Sequence, residues 1–258
     1  YVTGDYSLEE SMAEPLTSER VNDFNYGMDK TKALYLPHDM AYPDVYVVDR
    51  DALSDADAGK LAEICPSGSI DLDMKEEEIE FEVGAVIVAT GWHPYDATKI
   101  DQLGFGRYPN VITNVMMERL AAKGGPTSGG IIRPFDGKKA ENVAFVQCAG
   151  SRDENHLPYC SAICCMASLK QARYLREKNE NAKATVFYID IRTFGKDFER
   201  YYNKAKDDLG VRFVKSRITH VEPMDENGKH LIRYVDAAGR SRAEEFDIVV
   251  LSVGLGPR

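Results

Sequence analysis

The sequence predicts an α/β chain whose C-terminal half is a Rossmann-like, doubly wound parallel sheet. Three observations carry that prediction. Strand-like and helix-like runs alternate from Asn142 onward. The helical runs between them are long enough for right-handed crossovers. Two further runs, "AVIVA" (Ala85 to Ala89) and "DIVVLSV" (Asp247 to Val253), are apolar without alternation, as strands covered on both faces are.

Taken in order, residues 1–42 are polar with weak periodicity and read as a connecting arm. "DVYVVD" (Asp44 to Asp49) reads as a strand. "SDADAGKLAEI" reads as a helix with Ser54 as N-cap and Asp57 at its third position, a variant of the capping box. "SIDLD" and "EIEFEV" alternate polar and apolar residues, which predicts strands with one wet face. "AVIVA" follows as a buried strand and "TGWHPYD" (Thr90 to Asp96) breaks it. "NVMMERLAAKGG" predicts a helix capped by Asn114 and stopped at Gly124 and Gly125. The Gly- and Pro-rich run from Lys123 to Lys139 marks a boundary, so the division reads 1–42, 43–125 and 126–258.

Beyond it come strand "NVAFVQC", a helix from Ser161 to Lys178, strand "ATVFYIDI", helix "DFERYYNKAKDDLG" and strand "VRFV". An antiparallel excursion through "RITHVEP" and "HLIRYVD", turned at "DENG", precedes "FDIVVLSVG".

The chain has 258 residues, 43% hydrophobic and 29% charged, ample for a packed core. Lys+Arg 32 against Asp+Glu 42 leaves a net charge of -10, so no basic field exists to draw in phosphate backbones, and nucleic acid is excluded as a partner. No apolar run spans the ~30 Å of a bilayer core, so no direct membrane insertion is expected. Residue 1 is Tyr, and the chain reads as a segment of a longer polypeptide. Five cysteines, four of them clustered, do not form the even framework of a secreted domain and point to a reducing cytoplasm.

Those four, Cys148, Cys160, Cys164 and Cys165, stand within eighteen residues at the point where a strand ends and a helix begins. A dinucleotide-binding βαβ unit places a glycine-rich phosphate cradle there. This loop, "CAGSRDENHLPYCSAICC", has a single glycine, Gly150, and carries thiols instead. In the spacing C-x11-C-x3-C-C, Cys160 and Cys164 share a helix face, while Cys165 lies about 100° round from Cys164. The set converges only at an irregular helix start, an arrangement suited to a polynuclear cluster, and the helix N-terminus favours its negative charge. Three alternatives stand beside an iron-sulfur cluster: zinc, which usually takes C-x2-4-C pairs; a redox thiol pair, which usually shows C-x-x-C; and thiols packed as small hydrophobes.

"FVQCAGSRDENHLPYCSAICCMASLKQA", "FYIDIRTFGKDFE", "VIVATGWHPYD" and "FDIVVLSVG" together resemble the A subunit of heterodisulfide reductase and its relative, the A subunit of the quinone-interacting membrane-bound oxidoreductase. The resemblance covers roughly Glu82 to Pro257. It implies a partial FAD flavoprotein of two dinucleotide-binding domains on the thioredoxin-reductase plan. It also implies a [4Fe-4S] cluster on Cys148, Cys160, Cys164 and Cys165. Lys170 and its acidic neighbour Glu118 are implied beside the flavin ring, where a lysine would stabilise the reduced ring; read alone, both are solvated helix charges. Ala89, Thr90 and Gly91, with Ser252 and Gly254, match the strand ends that approach FAD in such folds, where glycine permits close backbone contact.

Two departures qualify the match. The G-x-G-x-x-G loop that opens an FAD domain is absent and would precede Tyr1, so FAD binding by this chain alone is expected to be weak or lost. Of the ferredoxin module inserted in many such proteins, "AEICPSGSIDLD" keeps only Cys65 and Pro66, a remnant within 43–125 that tilts the match toward the quinone-interacting relative. The implied function is electron transfer between FAD and the cluster, in the cytoplasm and peripheral to the inner membrane. The implied partners are a second flavin/iron-sulfur subunit, a quinone-reactive membrane subunit and a sulfur-metabolism reductase. With the nucleotide loop rebuilt, no NAD(P)H binding is expected in the C-terminal domain. The competing classes are a flavoprotein disulfide reductase and a zinc-binding docking module.

Overall fold

The computed structural model describes residues 13–65, 70–223 and 225–258. The chain divides into two compact units, Tyr1–Val88 and Ala89–Arg258. The division falls at Val88, between the breaks at 42 and 125 read from composition.

In the first unit, β1 (Glu19–Val21) pairs antiparallel with β2 (Lys30–Lys32), and β3 (Leu34–Tyr35) with β4 (Val47–Val48). Among the described residues the one α-helix of this unit is α1 (Asp55–Ile64). Leu16, Leu34 and Leu61 form a small apolar core against which Val48, Ile70 and Leu72 pack. Residues 13–42 are therefore part of a folded unit and not a bare arm. Ser54 caps α1 as expected, its hydroxyl accepting from the Asp57 amide at 3.2 Å. Asp57 has a second task that the capping pattern does not reveal. Fully buried, it accepts from the Ser18 amide at 2.6 Å, the Ser18 hydroxyl at 2.7 Å, the Thr17 amide at 2.8 Å and the Lys60 ammonium at 2.8 Å.

Three expected strands do not form here. Ser69 of "SIDLD" lies outside the described residues, and the rest of that run makes a bridge at Ile70 and a turn at Leu72–Asp73. "EIEFEV" and "AVIVA" have no regular structure, and Val86, Ile87 and Val88 are 78%, 91% and 78% exposed. The reason is the absence of neighbours: among the described residues no strand pairs with this segment, and a buried strand requires partners for its amides and carbonyls.

The second unit opens with β5 (Trp92–Pro94), β6 (Val111–Thr113) and α2 (Asn114–Ala121). Thr113, not Asn114, caps α2, its hydroxyl accepting from the Met116 amide; Asn114 is the first helical residue and is buried. The helix stops at Ala121, before the two glycines. Then follow β7 (Asn142–Ala149), α3 (Cys164–Lys178), β8 (Lys183–Tyr188), α4 (Phe198–Asp207) and β9 (Arg212–Lys215). The chain continues through β10 (His230–Val235), β11 (Ser241–Phe246), β12 (Ile248–Val253) and β13 (Leu255–Pro257).

Five strands make one all-parallel sheet in the order β6-β12-β7-β8-β9, the Rossmann-like arrangement expected from the alternation. The helices α2, α3 and α4 pack in sequence against one another and onto one face. The other face is not covered by helices. Ala144, Val146, Val249, Leu251 and Phe187 pack there against Ile100, Leu103, Ile232, Tyr234 and Phe246, from short turns and the β10–β11 hairpin. That hairpin differs from the expected excursion: "RITHVEP" is irregular, and "HLIRYVD" pairs with Ser241–Phe246. Asp236 decides the turn, its carboxylate accepting from the Ala238 amide at 2.9 Å and the Arg240 amide at 3.0 Å. At the sheet's far end Asp247 accepts from the Glu141 and Asn142 amides at 2.9 and 2.8 Å and pins β7 beside β12.

From β7 the chain moves through α3 to β8 on one side, while β12 closes the other. The crevice outside the carboxyl ends of β7 and β12 is thus a topological switch point, the place where open α/β sheets bind ligands.

Candidate functional site

The four clustered cysteines lie at that switch point. Cys148, next to last in β7, has φ 57°, a left-handed conformation rare for a non-glycine residue, and the pairing of β7 with β12 shifts register there. Gly150 follows at φ 71° and lies against the Tyr95 ring; a Cβ added there would come within 2.5 Å of it. The loop returns through Cys160 and a second left-handed residue, Ala162 at φ 59°. This bend delays the helix, which starts at Cys164 rather than at the expected Ser161. Ser161 instead accepts from the Leu255 amide at 2.8 Å. Its partner in this fastening is Gly254: a Cβ on Gly254 would lie 2.3 Å from the Ser151 hydroxyl and 2.9 Å from that of Ser161. The glycine matched to a flavin approach is therefore required first by the cysteine loop.

The four thiols have different surroundings. Cys164 donates to the Val253 carbonyl at 3.2 Å, at the end of β12. Cys165 faces the segment after β8, with its sulfur 4.0 Å from the Asp190 carbonyl oxygen and close to the Arg192 amide. Cys160 accepts from the Ala162 amide at 3.4 Å. Cys148 neighbours the Arg152 guanidinium, which is also paired with Asp190 at 2.8 Å. None of the four is in a disulfide.

Burial pushes the Cys164 thiol up to about 12, and the nearness of Cys165, Cys148 and Cys160 adds to the rise. Burial raises Cys148 and Cys165 as well, opposed by Arg152 and by the Arg192 amide respectively. Burial works against the Asp190 carboxylate, but Arg152 and Arg192 outweigh it and hold Asp190 below its ordinary value. The sulfurs are thus close enough to influence one another electrically. Even so, among the described residues no three His, Cys, Asp or Glu side chains are gathered tightly enough to hold a single metal ion. Ligands of one tetrahedral zinc, at about 2.3 Å from the metal, lie within about 4 Å of each other. The donor set, four thiols about one helix start, is of the kind that a polynuclear group takes, since its thiolates sit on different irons.

Beside the helix start opens a cavity of about 700 Å³, within the range of cofactor sites. Trp92, Ile163, Phe198 and Leu255 supply apolar wall, and Glu118 and Lys170 stand on it together. These two, 52 residues apart in sequence, are joined at 3.1 Å between Nζ and Oε2. Gln171 donates to the other Glu118 oxygen at 3.0 Å and to the Asn114 carbonyl at 2.8 Å. Burial works against the charge on Lys170, but Glu118 and Tyr174 outweigh it and hold the ammonium above its ordinary value.

The remaining expected residues are placed as follows. Thr90 and Gly91 are exposed and lead into β5, which pairs antiparallel with β13; the register sets Trp92 opposite Pro257 and brings the Tyr95 amide onto the Gly254 carbonyl at 2.8 Å, so "ATG" and "SVG" lie at opposite ends of this ribbon and are not brought together. Ala89 is exposed at the head of the same segment. Ser252 is fully buried and bonds Ser168 on α3 at 2.8 Å, so its hydroxyl serves helix packing. Cys65 is buried at the end of α1.

Sequence reasoning passed over Arg152 and Asp190, although both lie inside quoted motifs and a charge beside a thiol loop is a usable signal. It also passed over Gln147 and Gln171, and read Asn114 only as a helix cap; the buried amide oxygens of all three, with the Gln147 amide nitrogen, have no partner. Only burial in three dimensions marks them.

No family model matches the chain. It is 40% identical over 238 residues to the A subunit of the ferredoxin/F420H2-dependent CoB-CoM heterodisulfide reductase of Methanosarcina acetivorans, a match that covers 92% of this chain and 30% of that protein. It is 38% identical over 248 residues to the A subunit of the H2:CoB-CoM heterodisulfide,ferredoxin reductase of Methanothermobacter thermautotrophicus, 96% of this chain and 37% of the relative. An iron-sulfur A subunit of the CoB-CoM heterodisulfide reductase of Methanopyrus kandleri is 40% identical over 257 residues, 95% of this chain and 38% of the relative. The chain thus spans about a third of the length of the curated relatives it matches. Among solved structures, 2-naphthoyl-CoA reductase aligns at a TM-score of 0.37 with 16% identity over 65% of this chain and 19% of its own. A lysine monooxygenase from Nocardia farcinica aligns at 0.35 with 11% identity over 63% of this chain and 39% of its own. These are loose likenesses that bear no weight on function.

Proposed function

We propose that this chain, homologous over nine-tenths of its length to a segment of the heterodisulfide reductase A subunits, is the part of an oxidoreductase that passes electrons between FAD and a [4Fe-4S] cluster. The observation that carries the reading is the junction at the switch point: four mutually coupled thiols adjoin a cofactor-sized cavity through Ile163 and the first turn of α3. The Methanopyrus kandleri relative is an iron-sulfur subunit by name, which agrees.

Cys148, Cys160, Cys164 and Cys165 would hold the cluster, giving up their protons to do so. The amides of Ala162 and Arg192, the Arg152 guanidinium and the α3 N-terminus then face sulfur, a donor-rich setting that favours added negative charge. A flavin bound in the cavity would exchange electrons with its surroundings in one- or two-electron steps. Toward it Lys170 presents a positive charge anchored by Glu118, and Trp92, Ile163 and Phe198 offer apolar surface to the ring.

A disulfide reductase would instead show thiols open to alkylation and no iron. The whole assembly would include further flavin/iron-sulfur and quinone-reactive subunits together with a sulfur-metabolism reductase, with cytoplasmic placement beside the inner membrane through them. Among the described residues no helix is long and apolar enough to cross a membrane. Anaerobic purification followed by iron, acid-labile sulfide and flavin analysis and by EPR after reduction tests the reading; zinc, or thiols fully open to alkylation without iron, would overturn it. Titration with NADPH is expected to show no stoichiometric binding and no flavin reduction.

A further inference from the structure

The buried polar groups beside the thiols include one that neither packing nor capping explains. Gln147 is 6% exposed, and both its amide nitrogen and its amide oxygen lack a hydrogen-bond partner. A buried carboxamide left wholly unpaired costs free energy at each end, so native proteins keep one where a ligand completes it.

Its position follows from the sheet. Ala144 and Val146 belong to the hairpin-side cluster, so alternation along β7 puts Gln147 on the helix side with Val143 and Phe145. On that side β12 and β8 flank it, and Ser252 of β12 bonds Ser168 of α3 overhead. Cys164 reaches the end of β12 and Cys165 the segment after β8, so the first turn of α3 bridges the two strands that flank β7. Gln147 therefore lies on the helix face of the sheet between the two strands that Cys164 and Cys165 reach, one residue before Cys148.

We propose that the Gln147 carboxamide donates a hydrogen bond to a sulfur of the cluster and thereby tunes its reduction potential as a positioning residue. This rests on the cluster reading above. An N–H donor to sulfur stabilises the more negative, reduced state, so its removal makes reduction harder. Gln171 does not compete for the role, because its amide nitrogen is committed to Asn114 and Glu118.

The test uses the anaerobic holoprotein. Iron and sulfide analysis of the unaltered protein comes first: no cluster overturns the underlying reading itself. With the cluster present, EPR-monitored redox titration of Gln147→Leu and Gln147→Met is expected to show the reduction equilibrium at a fixed potential weakened about tenfold, which is about 59 mV more negative for one electron. Gln147→Asn is expected to recover part of the shift. An unchanged potential in a variant with full iron content overturns the proposal. Should neither apolar variant retain its cluster, pulsed EPR on unaltered protein grown with side-chain 15N-glutamine decides: a nitrogen coupling to the reduced cluster supports the bond, and none overturns it.

Discussion

Two buried polar centres of this chain invite comparison: the carboxylate of Asp57 in the first unit and the thiol crossing in the second. Around Asp57, both carboxylate oxygens are engaged by Thr17, Ser18 and Lys60. Around the thiols, by contrast, Gln147 is unpaired at both ends, the Ser151 hydroxyl is unpaired, and burial has pushed three sulfurs away from ionisation. Saturation marks the first as architecture, completed by the fold itself, while deficit marks the second as a place completed by something bound.

Substituting a ligand sharpens that contrast most. Cys164→Ala or Cys148→Ala in the holoprotein is expected to cut iron from about four per chain to well under half of that by metal analysis, with little change in circular dichroism. Asp57→Ala comes next, with the opposite signature: cofactor chemistry unaffected, and the thermal or denaturant transition of the first unit lowered, because Thr17 and Ser18 lose a common acceptor. By comparison, Gln147→Leu in metal-free protein is expected to be neutral or stabilising by about 1 kcal/mol, since it removes an unpaired amide. A large loss would show that Gln147 is structural, as Asp57 is.

The two centres also act at opposite ends of the pH scale. Hydrogen bonds from Lys60 and Ser18 hold Asp57 far below its ordinary value, so its stabilisation is present above the unfolded carboxylate value of about 4 and is lost as pH falls through the folded one. The thiols are raised, so their contribution is whole below the unfolded value of about 8.5 and is lost as pH climbs from there toward about 12. Denaturant melts of metal-free protein across pH check both limbs. The smallest effect belongs to Lys170→Met: the pair with Glu118 is half exposed, so stability should fall by less than about 1 kcal/mol, while any bound flavin becomes harder to reduce in a spectroelectrochemical titration.

Much of the second unit was legible in the sequence, because its signals are local. The alternation of strands and helices gave the parallel sheet, and "IVVLSV" announced a strand that proved buried throughout. That four cysteines stand about one strand end and one helix start was also legible, because it follows from their positions along the chain. The resemblance, not spacing, suggested that Lys170 and Glu118 belong together.

What tertiary structure decided is what depends on distant partners. "AVIVA" has nearly the composition of "IVVLSV" yet lies exposed, because burial comes from neighbouring strands and the described residues supply none to it. "HLIRYVD" chose Ser241–Phe246 over "RITHVEP" through the turn that Asp236 organises. Gln147, an ordinary polar residue in a strand, acquired meaning only when a helix, two flanking strands and a thiol loop closed around it and shut out water. Sequence alone therefore settled which segments extend or coil and where sulfur gathers, since both follow from residues near in the chain. Folding settled which polar atoms lost water without gaining a partner, because desolvation is a property of everything packed around an atom.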